Sequence, residues 1–316
     1  MDLPPLKTLP AFEAVARLNS FSRAAEELSL TQSAISHQIR QLENDLGEPL
    51  FNRAGRTLSL TDAGEQFLEV VTSALRQIER ASNNLRGTPD NQLRLAVPSS
   101  LAVCWLIPRL PNLQRKYPQL ELTLEMQSDM PVLSERIGDA FLTVRDRQRG
   151  YQFDHLYTER LFAICSRRLW REIRESLQAR GLTHEREPRE VLPEWLAGFP
   201  LLSATSLFEA KGEDWRRFFA ATGVKPPENV RVQHFSHLLL AHEAARHHQG
   251  IALSNDYMLD TATDPDLVVI PAPSFPTGDA FYLAYKHARR NEPAIRRLTG
   301  WLIEQAARSG WRANAK

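Results

Sequence analysis

The segment Gln32–Leu46 constrains this chain more than any other. Ile35, Ile39, Leu42 and Leu46 recur at intervals of four, three and four residues, so a helix there carries one continuous apolar stripe. Thr31 stands where an N-cap belongs. The opposite face presents Ser33, Ser36, His37, Arg40 and Asn44, small or forked polar groups able to approach base edges and phosphates. Periodicity alone is better explained by an ordinary amphipathic surface helix, so the neighbouring segments must decide. A first helix is expected over residues 6–18, with Leu9, Phe12, Val15 and Ala16 on one face. Ser22 is expected to cap a short second helix over residues 23–28.

Bulk charge gives no help. The chain of 316 residues has a formal net charge of +1, and residues 1–90 hold nine Lys/Arg against twelve Asp/Glu. The length predicts two or three domains, and 42% hydrophobic with 24% charged residues is the composition of a globular protein. No run is long and apolar enough for a membrane helix, and the first residues lack a signal-peptide layout. Cys104 and Cys165 make neither a disulfide framework nor a CxxC pair, so a reducing, cytoplasmic setting without a membrane partner is expected.

Four motifs then fall in register. Phe21-Ser-Arg-Ala-Ala-Glu-Glu-Leu28 is followed by Thr31-Gln-Ser-Ala-Ile-Ser-His-Gln-Ile-Arg-Gln-Leu-Glu43. Leu46-Gly-Glu-Pro-Leu-Phe-Asn-Arg53 and Leu60-Thr-Asp-Ala-Gly64 continue without a gap. Together they resemble the head of LysR-type transcriptional regulators. The resemblance implies that residues 1–61 form a winged helix-turn-helix that binds double-stranded promoter DNA. Thr31, Gln32, Ser33, Ser36, His37 and Arg40 would then face the major groove. Residues 52–61 correspond to the wing, where Arg53 and Arg56, with no acid between, would meet the phosphate backbone or minor groove.

Next, Asp62 and Glu65 give a capping-box-like start to a long helix. Phe67, Val71, Ala74, Ile78, Ala81 and Leu85 follow a 4, 3, 4, 3, 4 spacing, the pattern of a helix that pairs with another. A helix lying on its own domain fits the same spacing. The family resemblance implies the former: a dimerisation helix within residues 62–91, ending in a hinge at Gly87-Thr-Pro-Asp-Asn91. It also implies a homodimer or homotetramer on an interrupted palindrome, with RNA polymerase as a further candidate partner.

From Leu93 onward, apolar strands alternate with amphipathic helices. Strands are expected at 93–97, 120–125, 140–144, 161–166, 201–204, 230–232, 250–253, 267–270 and 280–285, with a helix around Trp105–Leu106 and a charged, solvated helix and loop over 167–194. The family resemblance makes 92–316 an effector module of two α/β subdomains, similar to periplasmic solute-binding proteins. Subdomain I would hold 92–161 and 271–316, and subdomain II 162–270. The expected fold is thus an all-α winged helix-turn-helix head and a long linker helix, then this two-subdomain α/β module. Within the family, Trp105-Leu-Ile-Pro-Arg109 is most similar to the glycine-cleavage and beta-lactamase regulator branch. Asp146-Arg-Gln-Arg149 and a long 171–194 connection depart from the usual pattern.

Ligands of open α/β sheets collect at strand ends. Ser99, Ser100, Gln127, Ser128, Ser203, Thr205, Phe235 and Ser236 are therefore the candidate effector-binding residues, suited to an amino acid or small carboxylate, although any single serine taken alone is better read as a plain helix cap. Cys104 and Cys165 read as buried structural thiols rather than a redox switch, and His234, His237, His242, His247 and His248 as a solvated face rather than a metal site. No GxSxG, Walker A, GxGxxG or HExxH motif occurs, so no catalytic residues, cofactor or metal are assigned. A solute-binding protein would explain residues 92–316 but not the head.

Overall fold

The computed structural model describes residues 3–52, 58–86, 91–127, 130–208, 210–225, 230–259 and 264–311. Contacts divide the chain into two units, Met1–Gln92 with Val132–Asp139, and Leu93–Pro131 with Ala140–Lys316.

In the first unit, one 3-10 turn at Leu6–Thr8 leads into α1 (Leu9–Leu18), which Asn19 ends in the left-handed region at φ 49°. Ser20 is extended, and its hydroxyl accepts from the Arg23 amide at 3.3 Å, so α2 (Phe21–Glu27) starts earlier than expected. Ser20, not Ser22, is the cap, because Asn19 has already reversed the chain. Ser29 at φ 54° makes the turn into α3 (Gln32–Leu46), and Thr31 Oγ1 accepts from the Ala34 amide at 3.2 Å. Phe12, Ile35, Ile39, Leu42, Leu50 and Leu68 form the floor of the head core. Past Gly47, the Glu43 carboxylate accepts from the Leu50 and Phe51 amides at 2.9 and 3.3 Å, which draws the chain back along α3. Two short strands, β1 (Phe51–Asn52) and β2 (Ser59–Leu60), pair antiparallel at the base of the wing.

Helix α4 (Asp62–Leu85) is capped by Thr61, whose Oγ1 accepts from the Gly64 amide at 3.0 Å and donates to the Pro49 carbonyl at 2.7 Å. The Asp62–Glu65 capping box is therefore replaced by a cap one residue earlier. The segment Val132–Asp139 packs on α4. Ser134 donates to Glu69 at 2.5 Å, Ser73 donates to the Glu135 carboxylate, and Arg76 donates to the Glu135 carbonyl.

Among the described residues, the second unit is built on a sheet of nine strands. In chain order these are β3 (Gln92–Pro98), β4 (Glu121–Gln127), β5 (Ala140–Thr143), β6 (Tyr151–Ser166), β7 (Leu201–Ala204), β8 (Val232–Phe235), β9 (Ile251–Ser254), β10 (Leu267–Val269) and β11 (Phe275–Lys286). The path runs β4-β3-β5-β11-β6-β9-β7-β8, with β10 also on β6. Parallel β3–β5 and β7–β8 and β7–β9 pairs mark two α/β halves. Strand β6 joins them: residues 151–161 pair with β11, and residues 162–166 pair with β9 and β10.

Helices cover the sheet. Ser99–Leu101 begins as α5, continues as one π turn over Ala102–Leu106 and tightens to a 3-10 turn at Ile107–Arg109 before α6 (Leu110–Lys116). The expected single helix at Trp105 is thus broken, with Pro108 and Pro111 denying it regular bonding. Helices α7 (Arg167–Ala179), α8 (Pro193–Leu196), α9 (Thr205–Phe208), α10 (Glu213–Ala221), α11 (Leu238–Arg246) and α12 (Pro293–Arg308) complete the layers.

Three sequence expectations change here. Helix α7 is not simply solvated: Leu169, Trp170, Ile173 and Leu177 are buried in a core shared with Trp215 and Phe218. The strand expected at 161–166 is the last third of β6. The strand expected at 230–232 lies at Val232–Phe235, so Phe235 belongs to the strand. No helix among the described residues is long and apolar enough to cross a membrane.

Candidate nucleic-acid interface and ligand cleft

On α3, Ile35, Ile39 and Leu42 are wholly buried, which fixes the rotation of the helix. Thr31, Gln32, Ser33, His37, Arg40 and Asn44 are exposed and Ser36 is half-buried. The candidate reading residues therefore share one solvent face. One of them is a free cation: the Arg40 guanidinium forms no ion pair among the described residues, whereas Arg17 is held by Glu13 and by Glu27. Thr31 and Ser33 hydroxyls lie 3.0 Å apart at the start of the helix, where amide hydrogens and the helix dipole favour a phosphate. Arg53 and Arg56 lie outside the described residues.

The seam on α4 divides in two. Phe67 packs 5.5 Å from Phe12, centroid to centroid, and Val71 is buried in the same head core. Those two positions serve their own domain, a correction to a seam that stands free along its whole length. Ala74 is half-buried, Ile78 is 63% exposed and Ala81 is exposed; the Leu85 side chain lies outside the description. Val70, 65% exposed, joins Ala74 and Ile78 at four-residue spacing, so the exposed stripe takes in Val70 in place of the predicted Val71.

In the second unit a cleft of about 490 Å³ opens where β3, β5, β6, β8 and β11 meet the starts of α9 and α11. Three predicted residues line it: Ser100, Thr205 and Ser236. Ser100 Oγ lies 3.4 Å from the Tyr257 hydroxyl, and Thr205 Oγ1 lies 3.3 and 3.2 Å from the Phe235 and Ser236 carbonyls, to one of which it donates. Ser99 lies behind this wall, its Oγ 2.7 Å from His237 Nε2. Gln127, Ser203 and Phe235 do not line the cleft. Ser203 is fully buried and holds the loop before α10, donating to Asp214 at 2.7 Å and accepting from the Gly212 amide at 3.0 Å. Phe235 packs on the apolar core, and Gln127 ends β4 away from the cavity. Ser128 lies outside the described residues.

Sequence reasoning missed Arg145, Glu159, Tyr257 and Asp279, all of which line the cleft, and met His237 only as one of a histidine group. Glu159 had a signal. Once β6 is recognised, Tyr157, Glu159 and Leu161 alternate onto one buried face, which puts an acid among inward residues. Burial pushes its carboxyl up to about 7 against the help of Asn255, whose Nδ2 donates at 2.8 Å, and of Thr277; Asp279 and Asp256 push it further. Burial also raises the Asp279 carboxyl.

The remaining candidates are scattered. Burial raises the Cys165 thiol to about 12 and the partly exposed Cys104 thiol to about 11, so both hold their protons and neither is an activated nucleophile. The histidines form no common solvated face: His234, His247 and His248 are exposed, His237 lines the cleft and His242 is buried. Burial and the nearby Arg246 lower the His242 imidazole to about 4. Among the described residues no three His, Cys, Asp or Glu side chains are grouped to hold a metal ion.

Known proteins match both units. The family model for bacterial regulatory helix-turn-helix proteins of the lysR family matches residues 6–65, and that for the LysR substrate binding domain matches residues 86–307. The HTH-type transcriptional regulator TrpI of Pseudomonas aeruginosa is 34% identical over 310 residues, 97% of this chain and 99% of the relative. The glycine cleavage system transcriptional activator of Escherichia coli is 31% identical over 311 residues, 96% and 95% of the two chains. Among solved structures, a full-length OxyR variant from Pseudomonas aeruginosa superposes with a TM-score of 0.67 at 17% identity, covering 95% of this chain and 94% of that one.

Proposed function

This chain belongs to the LysR family of DNA-binding transcriptional regulators, and from that premise we propose that α3 reads one half of a two-fold promoter site while the cleft binds the controlling small molecule. The observation that carries the first part is the polar, solvent-facing row of Ser33, Ser36, His37 and Arg40 on a helix whose back is locked in the core. Two copies joined through the exposed stripe of α4 would present two such faces, and two pairs would make a tetramer. The reading places the protein in the cytoplasm, with promoter DNA as partner and RNA polymerase as the machinery it influences. The ligand acts by differential affinity: it must bind one arrangement of the oligomer more tightly than another, because equal affinity shifts nothing.

Gel retardation with DNA from upstream of the chain's own gene tests this. Ser36→Ala and His37→Ala are expected to cut discrimination between the best site and a one-base variant by about tenfold. Arg53→Ala is expected to weaken binding to all sequences alike and to lower the salt slope by about one. Loss of discrimination in the Arg53 variant but not in the α3 variants would reject this division of roles.

A further inference from the structure

The cleft holds two carboxyls that no described cation pairs with directly, Asp279 feeling Arg217 only at a distance. Glu159, 4% exposed, lines it from β6, and Asp279 lines it from β11. Neither forms an ion pair with a described residue. The guanidiniums nearby are committed elsewhere: Arg160 grips both oxygens of Asp256 at 2.9 and 3.0 Å, and Arg217 holds Glu213 at 2.8 Å. The same cavity also has an unmatched base, because exposed Arg145 forms no ion pair among the described residues. The Ser100 hydroxyl and the apolar surfaces of Val144, Leu207 and Phe281 line the same cavity.

A simple carboxylate would satisfy Arg145 and leave two acids facing it. A simple amine would do the reverse. We propose that the effector is a free α-amino acid, its ammonium seated against Glu159 and Asp279 and its carboxylate turned to Arg145. This rests on the cleft being the effector site. The apolar surfaces would take the amino acid's side chain, and a volume of about 490 Å³ leaves room for one.

The pairing has a proton signature. Burial, Asp279 and Asp256 hold much of Glu159 protonated at neutral pH, opposed by Asn255 and Thr277; the Tyr157 and Tyr257 hydroxyls that also face it stay neutral there. An ammonium beside the carboxyl favours its ionised form, so binding near pH 7 releases a proton to the buffer. A ligand bringing only negative charge would take protons up.

The test uses the full chain and three sets of probes: the L-amino acids, their N-acetyl derivatives and the amine-free carboxylates of matching side chain. Thermal shift should single out one or a few free amino acids, with no shift from the other two sets at equal concentration. Titration of the responding amino acid at pH 7 in phosphate and in Tris should differ in enthalpy in the sense of proton release. Glu159→Gln should weaken it at least about thirtyfold, and Asp279→Asn should weaken it in the same direction. A set of amino acids that gives no shift overturns the proposal. So does equal binding of the amine-free carboxylates, or a Glu159→Gln affinity within twofold of the original chain. Ser236→Trp, at an exposed position on the cleft wall, separates the two levels of the reading. Carboxylate binding abolished by that substitution rejects the amine and keeps the cleft, whereas amino-acid binding indifferent to it rejects the cleft itself.

Discussion

Replacing Gly64 by alanine is expected to destabilise the DNA-binding head by about 3 kcal/mol and to abolish DNA retardation at physiological temperature. Gly64 lies in the first turn of α4, where a Cβ would stand 2.1 Å from the Leu50 carbonyl oxygen and 3.0 Å from Leu60 Cδ2. The oxygen cannot retreat, because it accepts from the Thr61 amide at 3.0 Å and the adjoining Pro49 carbonyl is held by Thr61 Oγ1. Alanine's better helix propensity returns only about 1 kcal/mol, too little to offset a backbone clash. Gly300, inside α12 with nothing within 4 Å of its would-be Cβ, is the control. The same substitution there should stabilise by up to about 1 kcal/mol and leave DNA binding intact. Thermal unfolding followed by circular dichroism, with retardation of a bound fragment, reads both results. Equal behaviour of the two variants would refute the steric account.

The second large effect is a pH-dependent gain from Glu159→Gln. Burial raises this carboxyl to about 7 in the folded chain, so between its ordinary value and pH 7 the folded state binds more protons than the unfolded state. Stability contributed by this site therefore falls as pH rises through that window, and the deficit is complete above it, at about 3 kcal/mol. Glutamine carries no such penalty and can still accept from Asn255. The variant should match the original chain near pH 4 and melt roughly 6–12 °C higher at pH 8. His242 works in the opposite sense. Its imidazole is lowered to about 4, so its contribution is present above its ordinary value and is lost as pH falls towards 4. In the original chain the two slopes oppose one another over the acid range. Removing Glu159 leaves that of His242 uncovered, and the variant should lose stability on acidification more steeply than its parent. A melting difference that does not grow with pH would show that Glu159 is not the group responsible.

The two roles of Glu159 belong together. A buried acid without a cation costs stability in the empty protein, and it is the group that the proposed ammonium would satisfy. A variant that is more stable at pH 8 yet blind to the amino acid is the signature of a site kept for binding rather than for folding.

The head was legible because its signals are local. The α3 stripe, the Thr31 cap and the four motifs need no knowledge of distant residues, and each fell within a residue or two of its place. The small errors were also local: Ser20 caps α2 because Asn19 turns left-handed, a backbone fact that composition does not reveal. The cleft was less legible. Serines at strand ends identified one wall, but Arg145, Glu159, Tyr257 and Asp279 reach the cavity from elements far apart in sequence. The polar first part of β6, Tyr151 to Arg160, did not read as a strand because its residues are largely half-buried and it is held by backbone pairing with β11. Ser203 misled for a similar reason: its partner Asp214 comes from α10 and draws the hydroxyl into the interior.

The central claim is that the exposed face of α3 reads bases in a two-fold site. Selection of bound sequences from a random DNA pool by the full chain, and by a Ser33, Ser36 and His37 triple alanine variant, tests it most directly. The account predicts that the original chain enriches paired, inverted half-sites at a fixed separation. The variant should keep that separation in whatever it binds and lose the base preference within each half. Enrichment of the same bases by both proteins, or of sites without two-fold symmetry, would contradict it.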